Sequence, residues 1–594
     1  MHKLLLLAIL LPLGLLGQNA TDAQQKITPE LRAAFERGET ADFLLIFRER
    51  ADLREAKSLK TKREKAQFVF SRLQATAAHS QQNALEILRA RGASANGLFI
   101  VNALAVRNAD AALARQLAAL PEVQSLCPDP WVHFNGPTEV SDAPTQRNAI
   151  EWGVDRIGAP QVWAMGYTGQ GVTVGGADTG YDWAHPAIQP HYRGWNGSAA
   201  TSQHDYNWHD AIHDFSPLAQ LDSTGMPTPN PCGLNASMPC DDNSHGTHTM
   251  GTMTGDDGLG NQIGVAPGAQ WVGCRNMERG NGQPSTYLEC FQWFLAPTDL
   301  GGQNADLDKA PHVVNNSWYC SSEEGCNSLE IIELLHEAVA NLKASGVVVV
   351  VSNGNFGGPC ATTLGPPSYF EESFSVGATR ADEFIAGFSS RGPILADGSG
   401  RMKPNVSAPG VQIRSCVRNG NYANFNGTSM AGPHVAGLVA LMLSARPELA
   451  GHVDDIEDII EQTAVYKADT LNCGSSLGTA LPNHAYGWGR VDALAAVEAA
   501  LEWQPSVGTD APLAPFATVA PNPTQSEAIF DFKDLLGKTV LDIFSPEGKL
   551  IFNQKWHSNG RDVLRVSLDN QPVGIYFWQL RSENGTASGK LTRG

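Results

Sequence analysis

Between Ile150 and about Trp503 the chain alternates apolar runs with helical stretches, and this alternation restricts the fold more than any other feature. The run Val347 to Val351 and the run Val172 to Ala177 read as strands, whereas Ile331 to Ala344 carries a helical pattern. Strands separated by helices argue for an α/β architecture around a mostly parallel sheet. At 594 residues the chain exceeds one ordinary core, so about three or four units are expected. Hydrophobic residues make up 42% and charged residues 17%, a composition of folded protein. The net charge of −19 disfavours a broad nucleic-acid interface, which needs a basic surface.

The flanks differ in kind from this central region. Met1-His2-Lys3 followed by an apolar run from Leu4 to Leu16 reads as a secretory signal over 1–23, too short to span a bilayer. No other long uncharged apolar stretch occurs, so no transmembrane anchor is expected. Residues 27–134 show the order β-α-β-β-α-β: a strand at Phe43 to Phe47, a helix from about Lys60 to Arg91 and two short strands within Gly97 to Arg107. A helix from Asp110 to Leu120 and a strand from Val123 to Cys127 complete it. Residues 135–149 are polar, with Gly136, Pro137 and Pro144, and read as an exposed linker suited to cleavage. The central α/β region is placed at 150–503, a linker at 504–516 in a stretch rich in Pro, Ala and Thr, and a small β-rich module at 517–594.

Ten cysteines in an exported chain imply disulfides. Nine lie between Cys232 and Cys473, so at least one is left without a partner once Cys127 is set apart. Cys232 with Cys240 and Cys320 with Cys326 are plausible local bridges.

Cleaving a peptide with an alcohol nucleophile takes a base for the hydroxyl proton, an anion to orient the base, and donors for the developing oxyanion. Asp178 ends the strand Val172-Thr-Val-Gly-Gly-Ala-Asp178, where a carboxylate projects from the carboxyl edge of a parallel sheet. His245 lies in Asp242-Asn-Ser-His-Gly-Thr-His-Thr-Met-Gly251, with glycines that allow close approach. Ser429 lies in Asn426-Gly-Thr-Ser-Met-Ala-Gly-Pro-His434, a glycine-bearing turn that runs into an apolar helix whose first amides can hold an oxyanion.

These three segments, in the order Asp, His, Ser, resemble the signature blocks of the subtilisin-like serine proteases, an order unlike that of trypsin-like enzymes or α/β-hydrolases. Ile263-Gly-Val-Ala-Pro-Gly268, Val313-Val-Asn-Asn-Ser-Trp318, Val350-Val-Ser-Asn-Gly-Asn355 and Lys403-Pro-Asn-Val-Ser-Ala-Pro-Gly410 resemble further family blocks. The resemblance implies Asp178, His245 and Ser429 as the catalytic triad and Asn355 as an oxyanion donor. It also implies substrate binding by strand addition along Ser317 and Trp318, with Ser352 and Gly354 opposite. In the substrate strand, Tyr319 and Cys320 stand where the family commonly has a glycine, which implies a bulkier pocket wall or one tied to Cys326.

By position and pattern 27–134 resembles the ferredoxin-like inhibitory propeptide of such enzymes, and 517–594 resembles the C-terminal sorting domain of the type IX secretion system. The expected partners are therefore protein or peptide substrates, the chain's own propeptide and that secretion machinery. The expected location is secreted or at the cell surface, reached through the periplasm of a Gram-negative bacterium. No cofactor is required for the chemistry; structural calcium is a family expectation without assignable ligands.

Other readings of the same residues are weaker. An aspartic protease needs a second Asp-Thr-Gly, and none is found. His245 and His248 lack the zincin pattern. His204, His209 and His213, interleaved with Asp205, Asp210 and Asp214, are the one cluster that invites a metal, and the structural reading is preferred there. His434 reads as a packing residue. A binding protein that kept the fold without activity is opposed by the intact Asp, His, Ser and Asn set, and an acid-active carboxyl protease would need glutamate in place of His245.

Overall fold

The five valines of 347–351 divide between two hydrophobic layers. Val348 and Val350 join the cluster built with Val435, Leu438 and Val439, whereas Val347, Val349 and Val351 join the cluster built with Leu334, Leu335 and Ala338. Side chains of a strand alternate between its faces, so a strand apolar at every position must be covered on both. Two long helices supply the cover: Thr428–Ala445 on one face and Leu329–Ala344 on the other.

The computed structural model describes residues 23–593 except 135, 146, 220–225, 227, 321–325, 327, 475, 506–515, 521–523, 525, 546–548, 570 and 583–584. The signal read over 1–23 therefore lies, but for Ala23, outside the described residues, as does most of the linker read at 504–516. The chain divides into two compact units, 1–503 and 504–594.

In the first unit a seven-stranded sheet runs in the order Val406–Pro409, Phe374–Thr379, Val348–Ser352, Val313–Asn316, Thr173–Asp178, Gln270–Arg275, Trp208–Asp210. Every pairing within it is parallel, as the alternation of strands and helices requires. Asp178 and Ser352 close their strands and Ser317 follows Asn316 directly, so all three lie at the carboxyl edge of the sheet.

The N-terminal module has the expected β-α-β-β-α-β order and an antiparallel four-stranded sheet ordered Ala95–Leu98, Ala103–Ala109, Ala41–Phe47, Val123–Pro128, a ferredoxin-like arrangement. The helix read from Lys60 to Arg91 is two helices, Lys62–Ser80 and Gln82–Arg91. They break at Gln81, whose side-chain amide donates to Asn102 Oδ1 at 3.1 Å and to the Ala103 carbonyl at 3.3 Å. The first of them opens with a capping box between Thr61 and Glu64. Leu44, Ile46, Val69 and Leu73 of this module share one core with Phe291, Leu334 and Leu335.

Within the stretch read as a linker, 135–149, the structure describes a strand. Glu139–Asp142 forms a strand antiparallel to Asn421–Asn426, because the edge of that hairpin offers unpaired backbone groups to whatever chain lies beside it. Four disulfides are present, the two local bridges together with Cys274–Cys290 and Cys360–Cys473; Cys127 and Cys416 are free and buried.

The second unit is strand-rich. Strands Glu527–Phe544 and Leu550–Ser567 form a long hairpin, joined by Gly574–Ser582 and Gly585–Arg593, around a core that includes Phe530, Ile543, Tyr576 and Leu580. This suits a small β-sandwich.

Among the described residues one helix, Thr428–Ala445, has the length and apolarity to cross a membrane, and it is the buried helix beneath the sheet. Val350→Ala, which removes two methyl-sized groups from a fully buried strand, should cost about 2 kcal/mol. The check is the urea midpoint followed by tryptophan fluorescence; an unchanged midpoint would contradict the two-sided packing.

Candidate active site

Asp178 is buried, and its Oδ1 accepts a hydrogen bond from His245 Nδ1 at 2.7 Å and another from the Thr179 amide at 2.8 Å. Thr249 Oγ1 reaches Asp178 Oδ2 at 3.4 Å. Because a carboxylate only accepts, the imidazole proton facing it sits on Nδ1 and leaves Nε2 as the basic nitrogen. Nε2 is buried and makes no hydrogen bond among the described residues.

His245 is the first residue of the helix His245–Thr254, and the loop leading into it is held by Asp241. Asp241 Oδ1 accepts from the amides of Asn243 at 2.8 Å and Ser244 at 2.9 Å and from Thr179 Oγ1 at 3.0 Å. Its Oδ2 accepts from the Thr247 amide at 3.1 Å and hydroxyl at 2.6 Å. A Cβ on Gly246 would lie 2.1 Å from the Gly180 carbonyl oxygen, so only glycine lets the histidine helix come this close to the aspartate turn. Asp241 and Thr179 escaped the sequence reading; the one available signal was an acidic residue just ahead of a helix start.

Ser429 is the second residue of Thr428–Ala445 and is buried. Its Oγ donates to the Ser317 carbonyl at 3.0 Å, and Ser317 Oγ donates back to the Ser429 carbonyl at 2.8 Å. The hydroxyl is therefore not bonded to His245 in this conformation; such catalytic contacts often tighten only with substrate. Asn355 Oδ1 accepts from the Thr428 amide and hydroxyl, both at 2.9 Å, which turns its Nδ2 away from them. That nitrogen is buried and makes no hydrogen bond among the described residues. A Cβ built on Gly427 would lie 3.5 Å from Asn355 Nδ2 and 3.6 Å from the Ser429 amide nitrogen. Two donors thus flank one small space beside the serine, the arrangement that an oxyanion needs.

The other residues named from the sequence fall as follows. Ser317 holds the serine turn. Trp318 is fully buried, stacked on Tyr287 at 4.1 Å, so its ring belongs to the core. Ser352 is fully buried, and the Gly354 amide donates to Thr428 Oγ1 at 3.2 Å. His248 Nε2 donates to the Ile413 carbonyl at 2.9 Å; burial and the nearby His245 push its pKa down to about 3, so it stays neutral. His434 Nδ1 donates to the Met430 carbonyl at 2.8 Å, and burial pushes its pKa down to about 4.

The three-histidine cluster does not assemble. His204 bonds the Tyr192 hydroxyl, and Asp210 pairs with Arg275. His209 and His213 meet instead on Glu289, at 2.8 and 3.0 Å. No group of three or more metal-ligating side chains among the described residues is arranged to hold an ion.

The chain's own N-terminal segment threads this site. Val132–His133 pairs antiparallel with Asn281–Gly282, a strand that sequence reading did not single out. The Phe134 amide donates to the Gly280 carbonyl at 2.8 Å, and the Phe134 ring packs edge-on against His245 with centroids 4.7 Å apart. On the far side the Thr138 amide donates to the carbonyl of Asn426, three residues before Ser429.

A buried acid, a histidine whose Nε2 makes no hydrogen bond among the described residues, a serine at a helix start and two amide donors thus lie together at one sheet edge, the set of groups that serine hydrolases use. The chain belongs to the subtilase family, whose model matches residues 169–489 of the 594. A secretion system C-terminal sorting domain matches 518–592, which indicates export and a secreted or surface location. Bacillopeptidase F of Bacillus subtilis (strain 168) is 35% identical over 514 residues, 81% of this chain and 33% of that protein. Subtilisin E of the same strain is 29% identical over 357 residues, 60% of this chain and 76% of its own length. Alkaline elastase YaB of Bacillus sp. (strain YaB) is 29% identical over 334 residues, 56% of this chain and 70% of its own length. The chain thus spans about a third of the bacillopeptidase F that it matches.

Burial lowers the pKa of His213, but the hydrogen bond to Glu289 and the charge of that carboxylate outweigh it and raise it to about 9 from 6.5. A folded pKa above the unfolded one stabilises fully below about pH 6.5, and the contribution is lost as pH rises through about 9. In a Ser429→Ala background, the melting-temperature gap between His213 and His213→Asn should be wide at pH 6 and closed by pH 10. A gap of constant size would refute this pairing.

Proposed function

We propose that this chain is a secreted serine endopeptidase that hydrolyses protein substrates through an acyl-enzyme, made as a zymogen. The observation that carries the reading is the buried His245–Asp178 hydrogen bond, which leaves Nε2 basic, next to the serine turn where Asn355 Nδ2 and the Ser429 amide flank one space. Asp178 orients His245 and stabilises the imidazolium; His245 takes the Ser429 hydroxyl proton as Oγ bonds the scissile carbonyl carbon. The two donors hold the oxyanion. Collapse expels the amine, which receives the proton from His245, and water activated by the same histidine releases the acid. The chemistry uses no cofactor.

Residues 27–134 act in this proposal as an inhibitory propeptide, 135–149 as the segment that is cut, and 150–503 as the catalytic domain. Support comes from the segment just described, which lies antiparallel on Asn281–Gly282 as an extended substrate would, with Phe134 against His245. Self-processing then falls between Phe134 and Thr138. Residues 517–594 direct export by the type IX machinery of a Gram-negative bacterium, from the periplasm, without a transmembrane anchor. Ser317, Ser352 and Gly354 shape the wall beside the nucleophile, and Trp318 supports it from the core.

The full chain should hydrolyse casein, react with a serine-directed fluorophosphonate and lose residues up to the 134–138 junction; Ser429→Ala should do none of these. Asn355→Ala should lower kcat by about a hundred- to thousandfold with little change in KM, a magnitude taken from subtilisin rather than calculated. Casein hydrolysis that survives Ser429→Ala would sink the proposal.

A further inference from the structure

The outer edge of the strand Asn421–Asn426 is at present taken by Glu139–Asp142, with Asn426 opposite Glu139, Phe425 opposite Val140, Asn424 opposite Ser141 and Ala423 opposite Asp142. Asn421–Asn426 is itself firmly placed. Its inner edge pairs with Ile413–Val417, Phe425 stacks on His248 at 4.2 Å, and Ala423 and Phe425 pack with Ile413 and Met430. The segment lying on it is placed far less firmly: Glu139 and Asp142 are exposed, and Val140 is 58% exposed. It is held mainly by backbone bonds at an exposed edge, each a modest net contribution. The Ala143 amide donates to the Tyr422 carbonyl at 3.3 Å, and Asn424 Nδ2 donates to the Asp142 carbonyl at 3.3 Å.

One side chain on this edge is poised for a ligand. Asn426 Oδ1 accepts from the Gln412 amide at 2.5 Å, which fixes the carboxamide so that Nδ2 donates to Glu139 Oε2 at 2.6 Å. Beyond the strand the chain is tethered: buried Arg414 donates to the Pro144 carbonyl at 3.0 and 2.6 Å. A cut between Phe134 and Thr138 therefore frees a short arm, attached at Pro144, whose hold on the edge is weak enough to be exchanged. The edge runs directly into Gly427, Thr428 and Ser429, so whatever lies on it is the part of a polypeptide that follows the bond being cut.

We propose that the Asn421–Asn426 edge is a substrate-docking strand for the leaving-group side, binding an extended polypeptide for at least six residues past the scissile bond and taking a carboxylate or amide side chain on Asn426. The inference rests on the protease reading above and adds a specificity element to it. It makes the enzyme selective for extended chain with a long downstream segment, against short peptides and against sites near a C-terminus. In the precursor the same edge is filled by the chain's own residues.

The test uses the full chain after it has matured and internally quenched peptides of the chain's own sequence. One covers 130–143, a second stops at Thr138, a third has an ester in place of the Ala143 amide, a fourth has it in place of the Asp142 amide, and a fifth carries Glu139→Leu. The peptide ending at Thr138 should lose at least about tenfold in kcat/KM, since it forfeits two or more backbone bonds. The Ala143 ester should lose about two- to fivefold and the Asp142 ester nothing, because alternate amides of a strand point away from its neighbour. Glu139→Leu should cost several-fold with the wild type and nothing with Asn426→Ala; if that variant does not fold, the peptide series decides alone. Equal kcat/KM for the long and short peptides overturns the docking strand and leaves the protease reading intact. Casein hydrolysed with all five peptides uncut also overturns it. Neither casein nor any peptide hydrolysed removes the protease reading, and this inference with it.

Discussion

Burial of both faces of the seven-stranded sheet is the constraint from which the site follows. A sheet covered on both sides by helices has parallel strands, and parallel strands joined by crossovers all end at one edge. Asp178, Ser317 and Ser352 are brought together for that reason, although 139 and 35 residues separate them along the chain. The helix Thr428–Ala445, itself needed to cover one face, delivers Ser429 to the same edge at its first turn. The geometry of the candidate site is thus a product of core packing: the hydrophobic pattern that forms the sheet also fixes where the polar groups meet.

This explains which parts were legible in the sequence. The strand at 347–351 and the helix at 331–344 announce themselves by apolar runs and helical spacing, and the structure places them within one or two residues, at Val348–Ser352 and Leu329–Ala344. The β-α-β-β-α-β order of the N-terminal module was legible for the same reason. The break at Gln81 was not, because it depends on Asn102 and Ala103, 21 and 22 residues further on and brought close only by the fold. Glu139–Asp142 was equally hidden: its sequence is polar and gives no alternating pattern, and its strand conformation comes from an edge nearly three hundred residues away.

Within the site, the groups carried by motifs were named in advance, whereas the groups that position them were not. Asp241 binds five donors and sets the entry to the histidine helix, yet in the sequence it is one of two adjacent aspartates. Asn281–Gly282 lies two residues before the helix Pro284–Leu295 in a stretch that reads as a turn, and only the chain paired with it marks it as a binding edge. Trp318 shows the converse. A motif placed it at the substrate strand, and its bulk found room in the core beside Tyr287, where a large apolar ring is worth more than on a cleft wall.

The contacts between the N-terminal module and the rest of the first unit also suit the processing proposed above. Lys62 and Lys65 donate to the carbonyls of Ala310 and Gly451, Asn341 donates to the Ile100 carbonyl, and Gln292 donates to the Gly97 carbonyl. In each of these bonds the group left behind is neutral or becomes exposed to water on separation. The most buried ion pair nearby, Arg107 with Asp129, lies wholly within the N-terminal module, and its partners on the other side are the uncharged Ser285 and Gln283. Among the described residues, separation would therefore break no fully buried charge pair across the boundary, a loss that would cost several kcal/mol. Two ion pairs do cross it, the exposed Arg63 with Asp308 and the part-buried Arg50 with Glu337, whose carboxyl is pushed up to about 7 by burial despite the guanidinium. Uncovering Glu337 removes the burial that raised it, so water takes over the role of Arg50. What holds the two parts together is chiefly the shared apolar core around Leu44, Val69 and Leu334, a non-directional attraction that the proposed cut would leave without the covalent link to reinforce it.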